Sequence, residues 1–149
     1  KNDATAAQWY ARAAEQCHPE AMCNIGVMHA LGTGVEKSAA KALEWYKAAA
    51  DENYAEAQYN VGCMYLEGDG IDVDHKLAVE YFQMAADQDF ADAQLLLGLA
   101  YKNGDGVEQN YETAFKWIAK AAEFGTPEAQ KELSVLYKDG LGVEKDEAQ

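Results

Sequence analysis

The sequence predicts an all-α solenoid of 36-residue helix-turn-helix units, and three observations carry that expectation. Blocks begin at Glu20, Glu56, Asp92 and Glu128, a constant spacing of 36 residues with no insertion to absorb. A fixed period of this length marks supersecondary units stacked on their neighbours. Equivalent positions hold the same residues: Ala21, Ala57, Ala93 and Ala129 coincide, as do Gly32, Gly68, Gly104 and Gly140, and then Gly34, Gly70, Gly106 and Gly142. Within each block, apolar residues recur at helical intervals and no strand pattern competes.

The elements follow in order. Residues 1–19 form a partial unit whose segment Ala6–Glu15 reads as a second helix, because Trp9 and Tyr10 match Trp45 and Tyr46, and Ala13 and Ala14 match Ala49 and Ala50. Complete repeats span 20–55, 56–91 and 92–127, and an incomplete one spans 128–149, all in a single array over residues 1–149. In the first complete repeat, Ala21, Ile25 and Met28 give the first helix one apolar stripe, and Ala42, Trp45 and Ala49 do the same for the second. Trp45, Tyr81 and Trp117 share one position and are expected to be large aromatics buried between helices. The glycine pair Gly32 and Gly34 breaks the helix, since glycine reaches backbone angles that other residues avoid. The second helix stops near Asn53, whose equivalent in the third repeat is Gly125. Pro19 and Pro127 sit where a first helix should start, each followed by an acid, as a helix N-terminus prefers. Helices of roughly 12 and 15 residues joined by short loops result. Another helix is expected to begin over Asp146–Gln149, and the chain reads as an excised piece of a longer array.

These residues resemble the Sel1-like repeat, a relative of the tetratricopeptide repeat. The pattern stands here as Ala57-x-x-x-Val61-Gly62-x-x-Tyr65, then Gly68-Asp69-Gly70-Ile71, then Ala78-x-x-Tyr81-Phe82-x-x-Ala85-Ala86. Its recurrence covers nearly the whole chain. Departures are local: Ser134 replaces the helix-packing glycine of the fourth repeat, His29 replaces a tyrosine, and Cys17 stands where a loop glycine would be. The resemblance implies a right-handed superhelix that serves as an adaptor or scaffold for other proteins, without chemistry or a cofactor of its own.

Bulk composition narrows the partners. Twelve basic residues against 26 acidic ones give a net charge of −14. Such a surface repels phosphate backbones and anionic lipid, so nucleic-acid and membrane-surface binding are not expected. No stretch approaches the roughly 18 unbroken apolar residues of a membrane span. Cys17, Cys23 and Cys63 occupy three different repeat positions, whereas a stapled solenoid would repeat its cysteines with its repeat. Free thiols and a reducing compartment are therefore favoured, with a Cys17–Cys23 bridge as the alternative.

The functional expectation rests on a second face of the first helices. At about 100° per residue, positions 20, 23, 27, 30 and 31 cluster well away from the core stripe at 21, 25, 28 and 29. That face reads Glu20, Cys23, Val27, Ala30 and Leu31 in the first repeat. In the second it reads Glu56, Tyr59, Cys63, Leu66 and Glu67, and in the third Asp92, Leu95, Leu99, Lys102 and Asn103. By analogy with the tetratricopeptide family it lines a concave groove for a peptide; the alternative is packing between repeats. Asn24 and Asn60 stand where related modules use asparagine to hold a peptide backbone, a task suited to an amide that both donates and accepts. Leu96 and Glu132 break that series. The candidate peptide-binding residues are thus Asn24, Val27, Tyr59, Asn60, Cys63, Leu66, Leu95 and Leu99. The ladder Glu20, Glu56, Asp92 and Glu128 could steer a basic ligand, but each acid also suits the first turn of a helix.

Chemistry is not expected. Asp69, Asp72, Asp74 and His75 lack the alternate spacing and closing glutamate of a cation loop. The three histidines are scattered and make no zinc-like cluster, and His29 is better read as a packing variant than as the partner of a thiol nucleophile. No catalytic or metal-ligating residue is assigned. Two functions remain: a module that binds a protein or peptide, apolar with some basic residues, in a partly apolar, acid-rimmed groove; or a structural spacer or self-associating segment of a larger protein.

Overall fold

A computed structural model describes residues 3–142. They form eight α-helices and no strand: α1 (Asp3–Glu15), α2 (Pro19–Leu31), α3 (Ala39–Asp51), α4 (Ala55–Glu67), α5 (His75–Ala86), α6 (Ala91–Asn103), α7 (Tyr111–Glu123) and α8 (Pro127–Asp139). The expected helix over Asp146–Gln149 lies outside the described residues. The chain divides into two compact units at Asp74. In the first, α1 packs on α2, α2 on α3 and α3 on α4; in the second, α5 packs on α6, α6 on α7 and α7 on α8.

Local chemistry sets the helix bounds. The second helices are shorter than the expected 15 residues: α3 and α7 have 13 and α5 has 12. Their start is delayed by an extended N-cap. Ser38 Oγ accepts from the Lys41 amide at 3.2 Å and Asn110 Oδ1 from the Thr113 amide at 3.0 Å, each satisfying a first-turn donor. The backbone N–H of Ser38, Asp74 and Asn110 donates to the carbonyl of His29, Tyr65 and Tyr101 at 2.8, 2.9 and 2.9 Å, closing the loop between paired helices the same way three times.

The end of each second helix is equally regular. Cys17, Asn53 and Asp89 hold φ of 59°, 61° and 63°, and Gly125, at the same repeat position, holds 81°. The loop glycines do different work. Gly104 caps α6 in the left-handed conformation. Gly106 lies so close to the start of α5 that an added Cβ would sit 2.3 Å from the His75 carbonyl oxygen.

The expected core stripe of the first helices holds, with Ala21, Ile25 and Met28 buried in α2. The second helices require a correction. Trp45, Tyr81 and Trp117 are only half-buried; the residues after them, Tyr46, Phe82 and Ile118, are 5%, 1% and 0% exposed. For Tyr46 and Ile118 a facing glycine explains the choice. Gly26 meets the Tyr46 ring, which would lie 2.7 Å from an added Cβ, and Gly98 meets Ile118 in the same manner. A bare patch of helix thus accepts the larger neighbour.

Repeated glutamines join the core. Gln58 Nε2 donates to the Ala50 carbonyl at 3.4 Å, Gln94 Nε2 to Ala86 at 3.2 Å and Gln130 Nε2 to Ala122 at 3.5 Å. Each amide ties the start of one repeat to a carbonyl near the end of the preceding helix, where no intrahelical donor is available. Gln58 also donates to Asn53 Oδ1 at 3.1 Å. Both Gln58 and Gln94 are fully buried, and Gln94 Oε1 has no partner.

Candidate functional site

In the first unit, α2 and α4 carry six of the candidate residues. Asn24, Val27, Tyr59, Asn60, Cys63 and Leu66 are all half-buried. Asn60 reaches across to α2, where its Nδ2 donates to Cys23 Sγ at 3.5 Å. Cys23 is 1% exposed, so this position of the second face packs between repeats. Burial pushes its thiol up to about 12, assisted by the Glu56 charge and opposed by the Asn60 hydrogen bond. The Tyr46 hydroxyl beneath is also raised, by burial first and then by Cys23, Glu56 and Cys63. Tyr54 donates to Glu56 Oε2 at 3.5 Å, and its own pKa is raised by burial and by that carboxylate.

Beside Asn60 lies an open hollow of about 210 Å³. Ala30, Tyr46, Cys63 and Met64 supply its apolar wall, Asn60 its amide, and Glu67 and Asp69 its acidic edge, with Lys37 as the cation. Of the candidate residues, this hollow gathers Asn60 and Cys63; Asn24, Val27, Tyr59 and Leu66 are not part of its lining. The sequence pattern alone does not point to Tyr46, Met64, Lys37 and Asp69. Helical phase places Met64 in the core stripe, and Tyr46 stands in an aromatic pair of which the sequence pattern favours the other member, Trp45, as the inward one. Lys37 and Asp69 are loop residues that no helical pattern reaches.

The second unit behaves differently. Leu95 is 9% exposed and joins a cluster with Ile118, Ala121, Ala129 and Leu136, against which Leu99 packs. Leu95 is therefore committed to the core, and for it the packing alternative describes the structure. Lys102 Nζ lies 2.8 Å from Glu132 Oε2, a bridge between α6 and α8. Glu132, which interrupts the asparagine series, thus has a partner of its own.

The acid ladder lies in the first turns of α2, α4, α6 and α8, and all four carboxylates are exposed. Cys17 is exposed, Cys23 buried and Cys63 intermediate, all three as free thiols. Among the described residues, no group of three or more His, Cys, Asp or Glu side chains could hold a metal ion, and no helix is long and apolar enough to cross a membrane.

Tandem helix pairs, closed by paired glycines and presenting partly apolar first-helix faces, define an all-α repeat solenoid of the scaffold type. The family model for the Sel1 repeat matches residues 1–16, 19–54, 55–90, 91–124 and 127–149, and the chain belongs to that family. Sel1 repeat proteins are generally protein-interaction scaffolds and generally non-enzymatic.

The chain is similar to a protective antigen of uropathogenic Escherichia coli that displays an SLR fold, with 41% identity and a TM-score of 0.92 over 95% of this chain and 30% of that one. It is also similar to a Sel1 repeat protein of Oxalobacter formigenes, at 35% identity and a TM-score of 0.91, over 98% of this chain and 60% of that one. Cysteine rich protein B of Helicobacter pylori matches at 26% identity and a TM-score of 0.69, over 87% of this chain and 92% of that one. The chain thus spans less than two thirds of the first two of these structures. Among curated proteins none matches significantly.

Proposed function

We propose that this chain is an adaptor that holds a peptide segment of a partner protein on the first-helix face of its first unit, at the hollow beside Asn60. The observation that carries this reading is the combination at that hollow of an apolar wall, an amide and two rim carboxylates. Apolar anchors supply affinity when a partner side chain fills such a depression. An amide can meet a peptide unit whatever its sequence. The carboxylates and the net charge of −14 favour a segment carrying lysine or arginine beside its apolar residues. Neighbouring Tyr59 and Leu66 extend the apolar surface along α4, Val27 does so along α2, and Asn24 adds a second amide there.

A second reading, a spacer or self-associating segment, draws support from Cys23 and Leu95, which are buried as packing residues. A spacer has no need of the open hollow beside Asn60, so the adaptor reading is preferred.

The test is selection of a displayed random-peptide library on the folded chain, followed by titration. Selected sequences should be enriched in basic and apolar residues. Tyr59→Ala and Met64→Ala should each weaken them by at least about 1 kcal/mol while leaving the melting temperature nearly unchanged. Selected peptides indifferent to both variants, or a chain that selects nothing but forms dimers, would move the assignment to the spacer.

A further inference from the structure

Ala30 on α2 and Asn60 on α4 both line the hollow of about 210 Å³ in the first unit. Two repeat lengths later stand Lys102 on α6 and Glu132 on α8, whose Nζ and Oε2 lie 2.8 Å apart. One repeat length later the same positions hold Leu66 and Leu96, alike in being apolar. In those two cases the residues match in kind. In the first unit the position of Lys102 has shrunk to a methyl group, while the groups around it stay polar. Asn60 uses its Nδ2 on Cys23 Sγ at 3.5 Å, which leaves Oδ1 without a partner among the described residues. Tyr46, 5% exposed, also lines the hollow. Its hydroxyl makes no hydrogen bond among the described residues and lies toward Cys63, another lining residue, whose charge bears on it. Glu67 and Asp69 stand exposed at the edge, two carboxylates against the single ammonium of Lys37.

We propose that this hollow receives one lysine side chain of the partner segment, in the place that Lys102 takes in the second unit; the proposal rests on the adaptor reading above and names what enters the site. The aliphatic stem of a lysine lies along apolar wall while its head keeps polar company, and Ala30, Ala39 and Met64 supply that wall. The ammonium carries three donors and no acceptor. Asn60 Oδ1, the Tyr46 hydroxyl oxygen and a rim carboxylate are acceptors of the kind it needs. An apolar side chain would fill the space but leave the buried hydroxyl and the amide oxygen shut from water and unpaired. An acidic one would meet Glu67 and Asp69 as like charges. Lys37 opposes the incoming cation, so its removal should tighten binding where a merely structural role would not.

The experiment is amide-detected NMR of the chain at low salt, titrated with the acetylated, amidated peptide Gly-Leu-Lys-Leu-Gly. A second titration replaces its lysine by norleucine, which keeps the stem and lacks the ammonium. The lysine peptide should shift the amides of Asn60, Cys63 and Met64 and bind at least about fivefold tighter than the norleucine peptide. Ala30→Lys, which copies Lys102, should fill the hollow and weaken the lysine peptide by at least about fivefold, whereas Lys37→Met should tighten it by at least about twofold. Should Ala30→Lys fail to fold, the exposed pair Glu67→Gln and Asp69→Asn gives the same comparison, again as a loss. A norleucine peptide that binds equally well at those amides would overturn the lysine site and leave the adaptor reading standing. Unmoved amides, or binding indifferent to these variants, would overturn it too; the adaptor reading falls with it only if library-selected peptides also leave the same amides unmoved.

Discussion

Cys17 holds a φ of 59° at a position where the third repeat has Gly125 at 81°. A side chain there pays a steric penalty of about 1–2 kcal/mol, partly offset because glycine is freer in the unfolded chain. Cys17→Gly should therefore stabilise the chain by about 0.5–1 kcal/mol, read as a higher urea midpoint with an unchanged slope. A fall in midpoint would contradict the reading of that turn. Cys23 gives a pH dependence. Its thiol is raised from 9.0 to about 12 in the folded state, so the unfolded chain releases its proton first. The resulting stability is fully present below pH 9.0 and is lost as pH rises toward 12. Tyr46 adds to the same decline. Urea unfolding between pH 8 and about 11 should show stability falling by no more than about 1.4 kcal/mol per pH unit for each such group. Cys23→Val should flatten the slope, and an unaltered slope would show that the thiol is not the source.

At the scale of the element, the aromatic pair decides how much was legible. The period and the glycine pairs located every described helix, because they are local signals. Which member of Trp45–Tyr46 or Trp117–Ile118 turns inward is not a local signal: neighbours on a helix differ by about 100°, and the choice depends on a glycine of another helix. Phe82→Ala should accordingly cost about 3–5 kcal/mol, and Tyr81→Ala well under that. Equal losses in thermal denaturation would restore the original stripe. The glutamine ties of Gln58, Gln94 and Gln130 are not legible in the sequence for the same reason, since their carbonyl partners belong to the preceding helix. Loop and helix meet tightly at Gly106, which combines φ of 76° with close approach to the α5 backbone. Gly106→Ala should destabilise by more than the roughly 1–2 kcal/mol of the backbone strain alone, because the His75 carbonyl cannot rotate away as a side chain could. A change under about 1 kcal/mol would show that the loop relaxes freely.

At the scale of the whole molecule, a repeat array draws its stability from neighbour contacts and leaves each repeat a surface whose residues can vary. The family was legible for that reason: the residues that define it are the ones that pack. The candidate site was only half legible. Helical phase separates the core stripe from a second stripe, but it does not say which part of the second stripe the adjoining repeat covers. Cys23 and Leu95 are covered, whereas Asn60 and Cys63 border a hollow completed by residues from loops and from α3. The central claim is that a partner segment is held at that hollow, and transferred cross-saturation NMR with a library-selected peptide tests it most directly. Saturation should pass from the bound peptide to the amides of Asn60, Cys63, Met64 and Glu67, with affinity falling moderately toward physiological salt and then levelling at an apolar remainder. Transfer absent from those residues, and confined to another surface of the chain, would contradict the account.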